Sequence, residues 1–298
     1  MQVDAFLLGA PKCGTTSLAS LLRKHPGVCF SKPKEPGYFC TDFAPAVRHV
    51  TTEDAYRDCF AHHRGDQIRM EGSTYSLVSQ EAPERIRAAS PDARCLVMLR
   101  DPVEMAPALH EQLCFNYVED EPDFRRAWDL QAARREGDRI PDSCADPKLL
   151  FYDETCRLGT QLERLYAVFP RPQVLPILLD DVRADADAVF ARVQDFLGLA
   201  PAPAAGTAHA NPAKARRWPA LGRVLTRPPA WVARPAGALR RILGVESLGI
   251  GAWYDRAMRR DRPRPPLDPA FRAALRQHFA AEVDRLERLL ERDLSAWR

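Results

Sequence analysis

A glycine-rich loop between a predicted strand and a predicted helix limits the possible folds of this chain more than any other sequence feature. Residues 9–17 read Gly-Ala-Pro-Lys-Cys-Gly-Thr-Thr-Ser, and the preceding apolar stretch 3–9 predicts a buried strand. Leu18, Leu21 and Leu22 share one face of a helix predicted over 15–24. Glycines let backbone N–H groups approach an anion, and a helix N-terminus adds partial positive charge. An ordinary turn seldom combines two glycines, a lysine and three consecutive hydroxyls, so the loop predicts an anion site of the phosphate type.

The loop departs from the Walker A pattern. Gly9 and Gly14 have the required spacing, but Thr15 stands where that pattern has lysine, and Lys12 lies inside the loop. Compared with the Walker A lysine, Lys12 lies closer to the bond that breaks when a group is transferred from the diphosphate. The strand predicted over 93–99 ends in Arg100 rather than in a Mg-binding Asp. A sulfuryl group carries less charge than a γ-phosphoryl, so cationic side chains can manage its transfer without a metal. The pattern disfavours an ATPase or kinase, and a P-loop nucleotide kinase stays as the alternative.

The remaining periodicity predicts an α/β fold, with a central parallel sheet flanked by helices in three layers. Further strands are predicted over 28–30, 93–99 and 174–179, and helices over 81–89, 124–136, 158–169 and 186–197. Asp268 and Pro269 are a typical helix start, followed by a long amphipathic helix. We expect one domain over 1–298, with an α/β core at 3–200, a basic Pro- and Arg-rich insert or lid at 206–266 and a C-terminal helix at 268–298.

The net charge and the lengths of the apolar runs limit the classes of partner and the cellular location that we expect for this chain. The 298 residues hold 43 Lys+Arg and 40 Asp+Glu, a net charge of +3, which excludes a polybasic protein. No nucleic acid is expected as a partner, because the basic stretch at 214–218 lacks interleaved aromatic residues. Residues 206–266 alone hold 13 Lys+Arg against 3 Asp+Glu, so the balance hides a basic segment. No apolar run reaches the roughly 18 residues of a membrane span. Asp4 and the short stretch Ala5–Leu8 do not fit a signal peptide, so a cytoplasmic location is expected.

The eight cysteines show neither a CxxC pair nor metal-ligand spacing with histidine. Their scatter is typical of free thiols in a reducing compartment. We therefore expect no disulfide framework and no metal site.

Three motifs in order resemble the sulfotransferases that use 3′-phosphoadenosine 5′-phosphosulfate (PAPS). Residues 9–18 resemble the 5′-phosphosulfate loop in the form typical of carbohydrate-type and bacterial members. Residues 32–39 resemble the KExxF segment of that family, and 99–104 resemble its second motif, which grips the 3′-phosphate. The resemblance implies a P-loop sulfotransferase-like fold and in-line transfer of a sulfuryl group from PAPS to a hydroxyl or amine acceptor, without a metal.

The resemblance also implies roles for the loop. Lys12 would hold the bridging oxygen on which charge builds as the S–O bond breaks. Arg100 would pair with the 3′-phosphate, although an ion pair with Asp101 or Glu104 is the alternative. The expected nucleotide-binding residues are Pro11, Lys12, Cys13, Gly14, Thr15, Thr16, Ser17 and Arg100.

A general base is needed for the acceptor proton, and Glu35 occupies the position of the catalytic glutamate in carbohydrate-type members. Lys34 would contact the sulfate or modulate the basicity of Glu35, unless Lys32, Lys34 and Glu35 form a solvated charged turn. His110, expected on the helix after Arg100 and facing the same cleft, is a second candidate base.

Two features leave alternatives open. Family members usually carry a Ser eight residues after the Arg of the second motif, and Ala108 stands there. A catalytically weak PAPS-binding relative is therefore an alternative to an active enzyme. The basic stretch with Lys214, Arg216 and Arg217 is a candidate loop over the nucleotide, or else a solvated tail or a patch for an anionic acceptor or a membrane surface. A carbohydrate, a lipid or a natural product is the expected acceptor, and the sequence leaves the oligomeric state open.

Overall fold

The computed structural model describes residues 1–203, 214–216, 259–261 and 266–298. Its main sheet has five strands, all parallel, in the order β2-β3-β1-β4-β5. They are β1 (Ala5–Gly9), β2 (Val28–Phe30), β3 (Ile68–Gly72), β4 (Arg94–Leu99) and β5 (Val174–Leu178). The predicted α/β fold with a parallel central sheet is confirmed.

The two central strands explain the layering. Every residue of β1 is buried, and in β4 only Arg94 is exposed. A strand buried on both sides needs helices over both faces of the sheet, which its continuous apolar sequence also predicts. Strand β3 was not predicted, because its five residues include Arg69 and Glu71 and therefore lack an apolar run.

Helices connect the strands and surround the sheet. They are α1 (Thr15–Lys24), α2 (Glu53–Asp58), α3 (Ala82–Ala89), α4 (Pro102–Phe115), α5 (Phe124–Asp129), α6 (Gln131–Arg135), α7 (Tyr152–Thr155), α8 (Leu158–Val168), α9 (Leu179–Ala184), α10 (Ala186–Leu197) and α11 (Pro269–Leu290). The predictions for α1 and α10 match to the residue. The helix predicted over 124–136 is instead two short helices that meet at Leu130.

The final helix α11 packs against helix α8 of the α/β core. Asp268 caps it, with its carboxylate accepting from the N–H of Phe271 at 2.9 Å. Its backbone packs closely on α8, since a Cβ at Gly159 would lie 2.5 Å from the carbonyl oxygen of Glu282. The Glu282 carboxylate accepts from the N–H and the hydroxyl of Thr160, both at 2.7 Å. Gly159 thus permits the contact and Glu282 fixes it.

Strands β6 (Lys214–Arg216) and β7 (Arg259–Asp261) pair antiparallel in a separate two-stranded sheet. The rest of the insert or lid predicted at 206–266 lies outside the described residues, apart from Pro266. Within the described part of the chain, none of the helices has the length and apolar character that a membrane crossing requires.

Candidate active site

A cleft of about 1070 Å³ lies along the edge where the strands end. The connection from β1 leads to β2 on one side and the connection from β4 leads to β5 on the other, so the gap between β1 and β4 is a topological switch point. Open parallel sheets bind ligands at such a point, beyond the carboxyl ends of the strands. The segments that follow the five strands all contribute to the lining: 11–17, 35–49, 73–75, Arg100 and 179–187.

The loop after β1 has the backbone geometry of an anion cradle. Gly14 precedes α1 with φ +90°, in the left-handed region that favours glycine, and a Cβ there would lie 2.8 Å from Cδ1 of Leu179. The N–H groups of Thr15 and Thr16 at the start of α1 have no acceptor within the helix, whereas the N–H of the third hydroxyl residue, Ser17, donates to the carbonyl of Gly14 at 3.0 Å. These three residues line the cleft together with Pro11, Lys12 and Gly14.

Cys13 belongs to the same loop, but its thiol faces away from the cleft. The side chain is fully buried, and its Sγ lies 3.7 Å from Sδ of Met105 in α4. Burial raises the pKa of this thiol to about 12. The Cys13 side chain therefore packs the loop onto α4 and does not face a bound anion.

Lys12 and Arg100 meet at the switch point. The Lys12 ammonium donates to Oε1 of Gln112 at 3.2 Å, and the backbone carbonyl of Lys12 accepts from Nη1 of Arg100 at 3.1 Å. Arg100 also lies 3.9 Å from the carboxylate of Glu104, which forms a closer ion pair with Arg272 of α11. The ion pair between Arg100 and Glu104, which the sequence left as the alternative role of Arg100, is thus present at long range, and both Lys12 and Arg100 line the cleft.

Glu35 lines the cleft from the end of β2. Its Oε2 accepts from the N–H of Thr74 at 2.6 Å and from the Thr74 hydroxyl at 3.0 Å, and its Oε1 pairs with the Lys34 ammonium. The backbone N–H of Glu35 donates to the carbonyl of Gly72 in β3 at 2.8 Å. Lys34 does not line the cleft, and its ammonium acts on the site only by pairing with the Glu35 carboxylate. Thr74, absent from the sequence predictions, holds the carboxylate.

A second carboxylate lies behind this one. Glu71 of β3 is 1% exposed, and its Oε2 accepts from the Tyr56 hydroxyl at 2.6 Å. Burial is the main reason that the pKa of Glu71 is raised to about 7; the negative charge of Glu35 also raises it, whereas the hydrogen bonds with Ser73 and Tyr56 lower it. Glu71 was not predicted as a site residue, because β3 lacks the apolar run that would have indicated a strand.

His110 does not face the cleft, which corrects its prediction as a second base. Its ring is buried, its Nε2 lies 2.8 Å from the carbonyl oxygen of Glu121, and it packs against Phe124 and Tyr152. Burial lowers the pKa of the ring. The helix turns neighbouring residues of α4 to the cleft instead, among them Ala108, Leu109, Glu111 and Gln112.

Ala108 lines the cleft and is 2% exposed, so a methyl group stands where the resemblance implies a hydroxyl.

Lys214 and Arg216 are the first and last residues of strand β6, and Arg217 lies outside the described residues. In the part of the chain that the structure describes, no group of three His, Cys, Asp or Glu side chains has the geometry to hold a metal ion.

Comparison with known proteins agrees with this geometry, although no family model matches the chain. The chain is 30% identical over 196 residues to human heparan sulfate glucosamine 3-O-sulfotransferase 3B1, a match that covers 66% of this chain and 46% of that protein. It is 28% identical over 252 residues to human carbohydrate sulfotransferase 15, covering 66% of this chain and 44% of that protein. The chain thus spans less than half the length of these curated relatives.

A solved structure matches over the full length. The sulfotransferase from Alicyclobacillus acidocaldarius superposes with a TM-score of 0.72 at 25% identity, covering 100% of this chain and 99% of that one. The parallel sheet and the anion loop at its switch point define an α/β protein with a P-loop-like fold. Within that class, the chain is similar to sulfotransferases both in sequence and in structure.

Proposed function

We propose that this chain transfers a sulfuryl group from PAPS to a hydroxyl or amine of a small-molecule or glycan acceptor. The observation that carries the proposal is the common cleft, which the β1–α1 loop, Arg100 and Glu35 all line. The sheet order places the loop and Arg100 on adjacent strands and Glu35 two strands away. One ligand with several anionic groups and one acceptor therefore fit side by side.

The donor fits the side of the cleft formed by β1, β4 and β5. The N–H groups and hydroxyls at the start of α1 suit the 5′-phosphate. Arg100, on the neighbouring strand, suits the 3′-phosphate, because a guanidinium binds phosphate in a bidentate way. Lys12, whose carbonyl accepts from Arg100, supplies the positive charge for the bridging oxygen.

When bound, the nucleotide supplies an activated sulfuryl group, and the acceptor oxygen or nitrogen bonds to sulfur as the bond from sulfur to the bridging oxygen breaks. Glu35 takes the proton of the acceptor group on its carboxylate. Lys12 stabilises the negative charge that the bridging oxygen gains with the bonding electron pair. Lys34 and Thr74 hold the Glu35 carboxylate in place from two sides.

The curated relatives carry names of heparan sulfate and carbohydrate enzymes, which supports a hydroxylated acceptor. A cytoplasmic location, a single domain and the cover of the nucleotide by Lys214, Arg216 and Arg217 stay predictions of the sequence.

Calorimetric titration with 3′-phosphoadenosine 5′-phosphate (PAP) tests the proposal. We expect PAP to bind and ATP with Mg²⁺ not to compete, and we expect the chain to form a sulfated product from PAPS in a pooled acceptor extract. Glu35→Gln should bind PAP normally and form no product. Binding of ATP with Mg²⁺ in place of PAP would refute a sulfotransferase, and binding of PAP without product would indicate a weak relative.

A further inference from the structure

The half of the cleft beyond β2 and β3 has a wall that is mostly apolar. We call it the acceptor half, and it comprises the lining residues of 35–49 and 73–75 with those of 113–118 and Leu149. Its apolar side chains include Phe43, Val47, Tyr75, Leu113, Val118 and Leu149. The rings of Phe43 and Tyr75 meet edge to face, with centroids 5.5 Å apart. An apolar wall of this kind gains free energy by covering an apolar ligand surface.

One guanidinium, that of Arg48, lines this half. The Arg48 side chain makes no hydrogen bond or ion pair with any residue in 1–203 or 266–298, and its Nε is buried without a partner. Arg164 illustrates the contrast outside the cleft: its Nε also lacks a partner, but its Nη2 donates to the carbonyl of Leu77 at 2.6 Å. A buried N–H group without an acceptor costs free energy, and an incoming oxyanion supplies that acceptor.

The backbone holds Arg48 close to Glu35. Gly37, two residues after Glu35, has φ +67°, and a Cβ there would lie 3.6 Å from Cα of Arg48. The N–H of Val50 donates to the carbonyl of Pro36 at 3.0 Å, which ties the two ends of this turn together. The candidate base and the guanidinium are therefore parts of one compact segment.

The charge pattern separates two kinds of acceptor. A sulfated glycan carries an anion on most of its sugar units, and its recognition needs a row of cations. Among the described lining residues of the acceptor half, Arg48 supplies the guanidinium charge and no lysine accompanies it. One cation with an apolar wall suits one oxyanion with an apolar body.

We propose that the acceptor is a hydroxylated compound with an apolar body and one oxyanion, such as a carboxylate or a phosphate, bound by Arg48. This inference rests on the proposed sulfuryl transfer, because the acceptor half is defined by its position next to Glu35. The apolar body lies against the wall formed by Phe43, Val118 and Leu149, and the hydroxyl faces Glu35.

The test uses 4-hydroxyphenyl alkanoates of increasing chain length, their methyl esters and a heparan sulfate oligosaccharide, each titrated calorimetrically into the complex of the full chain with PAP. We expect the acids to bind about ten- to a hundredfold more tightly than the esters, as a charge-assisted hydrogen bond requires. Arg48→Met should remove that ratio while leaving ester binding intact. Arg64→Met, at an exposed arginine outside the cleft, is the matched control and should keep the ratio.

Equal binding of acids and esters to the unmodified chain would overturn the inference, as would an unchanged ratio in Arg48→Met. Tighter binding of the oligosaccharide than of every alkanoate would assign the half to a glycan instead. The affinity for PAP is measured first in each protein. If PAP binds and the acid–ester ratio is absent, only the acceptor inference fails, whereas failure of PAP binding removes the proposed function and the inference with it.

Discussion

Thr74 binds one oxygen of the Glu35 carboxylate twice, through its backbone N–H at 2.6 Å and through its hydroxyl at 3.0 Å. The two residues are 39 positions apart and follow β2 and β3, which are neighbours in the sheet. The other carboxylate oxygen pairs with Lys34. The candidate base is therefore oriented by the order of the strands and not by its neighbours in sequence alone.

Thr74→Val tests that orientation. The substitution keeps the shape and the backbone hydrogen bond and removes the hydroxyl, so we expect kcat to fall about tenfold, with the KM for PAPS unchanged. Steady-state kinetics of sulfated product formation give both constants. Thr74→Ser, which retains the hydroxyl, is the control and should keep most of the activity. A rise of the PAPS KM instead of a fall in kcat would place Thr74 in donor binding.

Lys12→Met should lower kcat about a hundred- to a thousandfold and weaken PAP binding much less. The reason is that negative charge on the bridging oxygen grows toward the transition state, where a fixed cation has its largest effect. Single-turnover product formation measures the chemical step. Lys24→Met, at the exposed far end of α1, is the matched control and should behave as the unmodified chain. Equal losses in PAP affinity and in rate would make Lys12 a binding residue only.

Arg100→Met should weaken PAP about ten- to a hundredfold and leave AMP unchanged, because AMP lacks the 3′-phosphate. Calorimetric titration of both nucleotides gives the ratio directly. Arg100 also donates to the carbonyl of Lys12 at 3.1 Å, so a purely structural role is the competing explanation. That role would weaken both nucleotides alike.

The nucleotide side of the cleft could be predicted from the sequence because its residues are contiguous. Residues 9–17 carry the strand end, the glycines and the hydroxyls in one stretch, and Gly14 has the left-handed backbone that its position required. Arg100 follows a strand of continuous apolar residues, which marks the carboxyl edge of the sheet. Local patterns were sufficient there.

The acceptor side could not be predicted in the same way. Strand β3 is short and carries Arg69 and Glu71, so hydrophobic periodicity did not indicate it, and Thr74 at its end stayed hidden. His110 was expected in the cleft because it lies on the right helix, yet the turn of α4 directs it into the aromatic cluster with Phe124 and Tyr152. Helix orientation depends on tertiary packing, which one sequence does not specify.

Ala108→Ser should strengthen PAP binding. Ala108 lines the cleft on the helix that follows Arg100, and a hydroxyl there adds one hydrogen bond to the 3′-phosphate, or about a fivefold gain in affinity. AMP is the internal control and should bind unchanged. If PAP affinity stays constant, another group already supplies that hydrogen bond.

Glu71 should make the stability of the fold depend on pH in an unusual direction. Its carboxyl is buried against the Tyr56 hydroxyl, and burial raises its pKa from 4.5 to about 7. Between these two values the folded chain keeps a proton that the unfolded chain loses. The contribution of Glu71 to the free energy of unfolding is therefore greatest below pH 4.5. It falls by about 3 kcal/mol as the pH rises through 7.

Glu71→Gln should abolish that fall, because the amide does not titrate. Urea unfolding at pH 5 and pH 8 gives the difference for each protein, and comparison with the unmodified chain cancels the groups that titrate in both. Tyr56→Phe is the complementary variant: the hydroxyl donates to the ionised carboxylate at 2.6 Å, so its loss should raise the pKa of Glu71 further and steepen the fall. The same pH slope in Glu71→Gln and in the unmodified chain would show that Glu71 ionises freely in the folded protein.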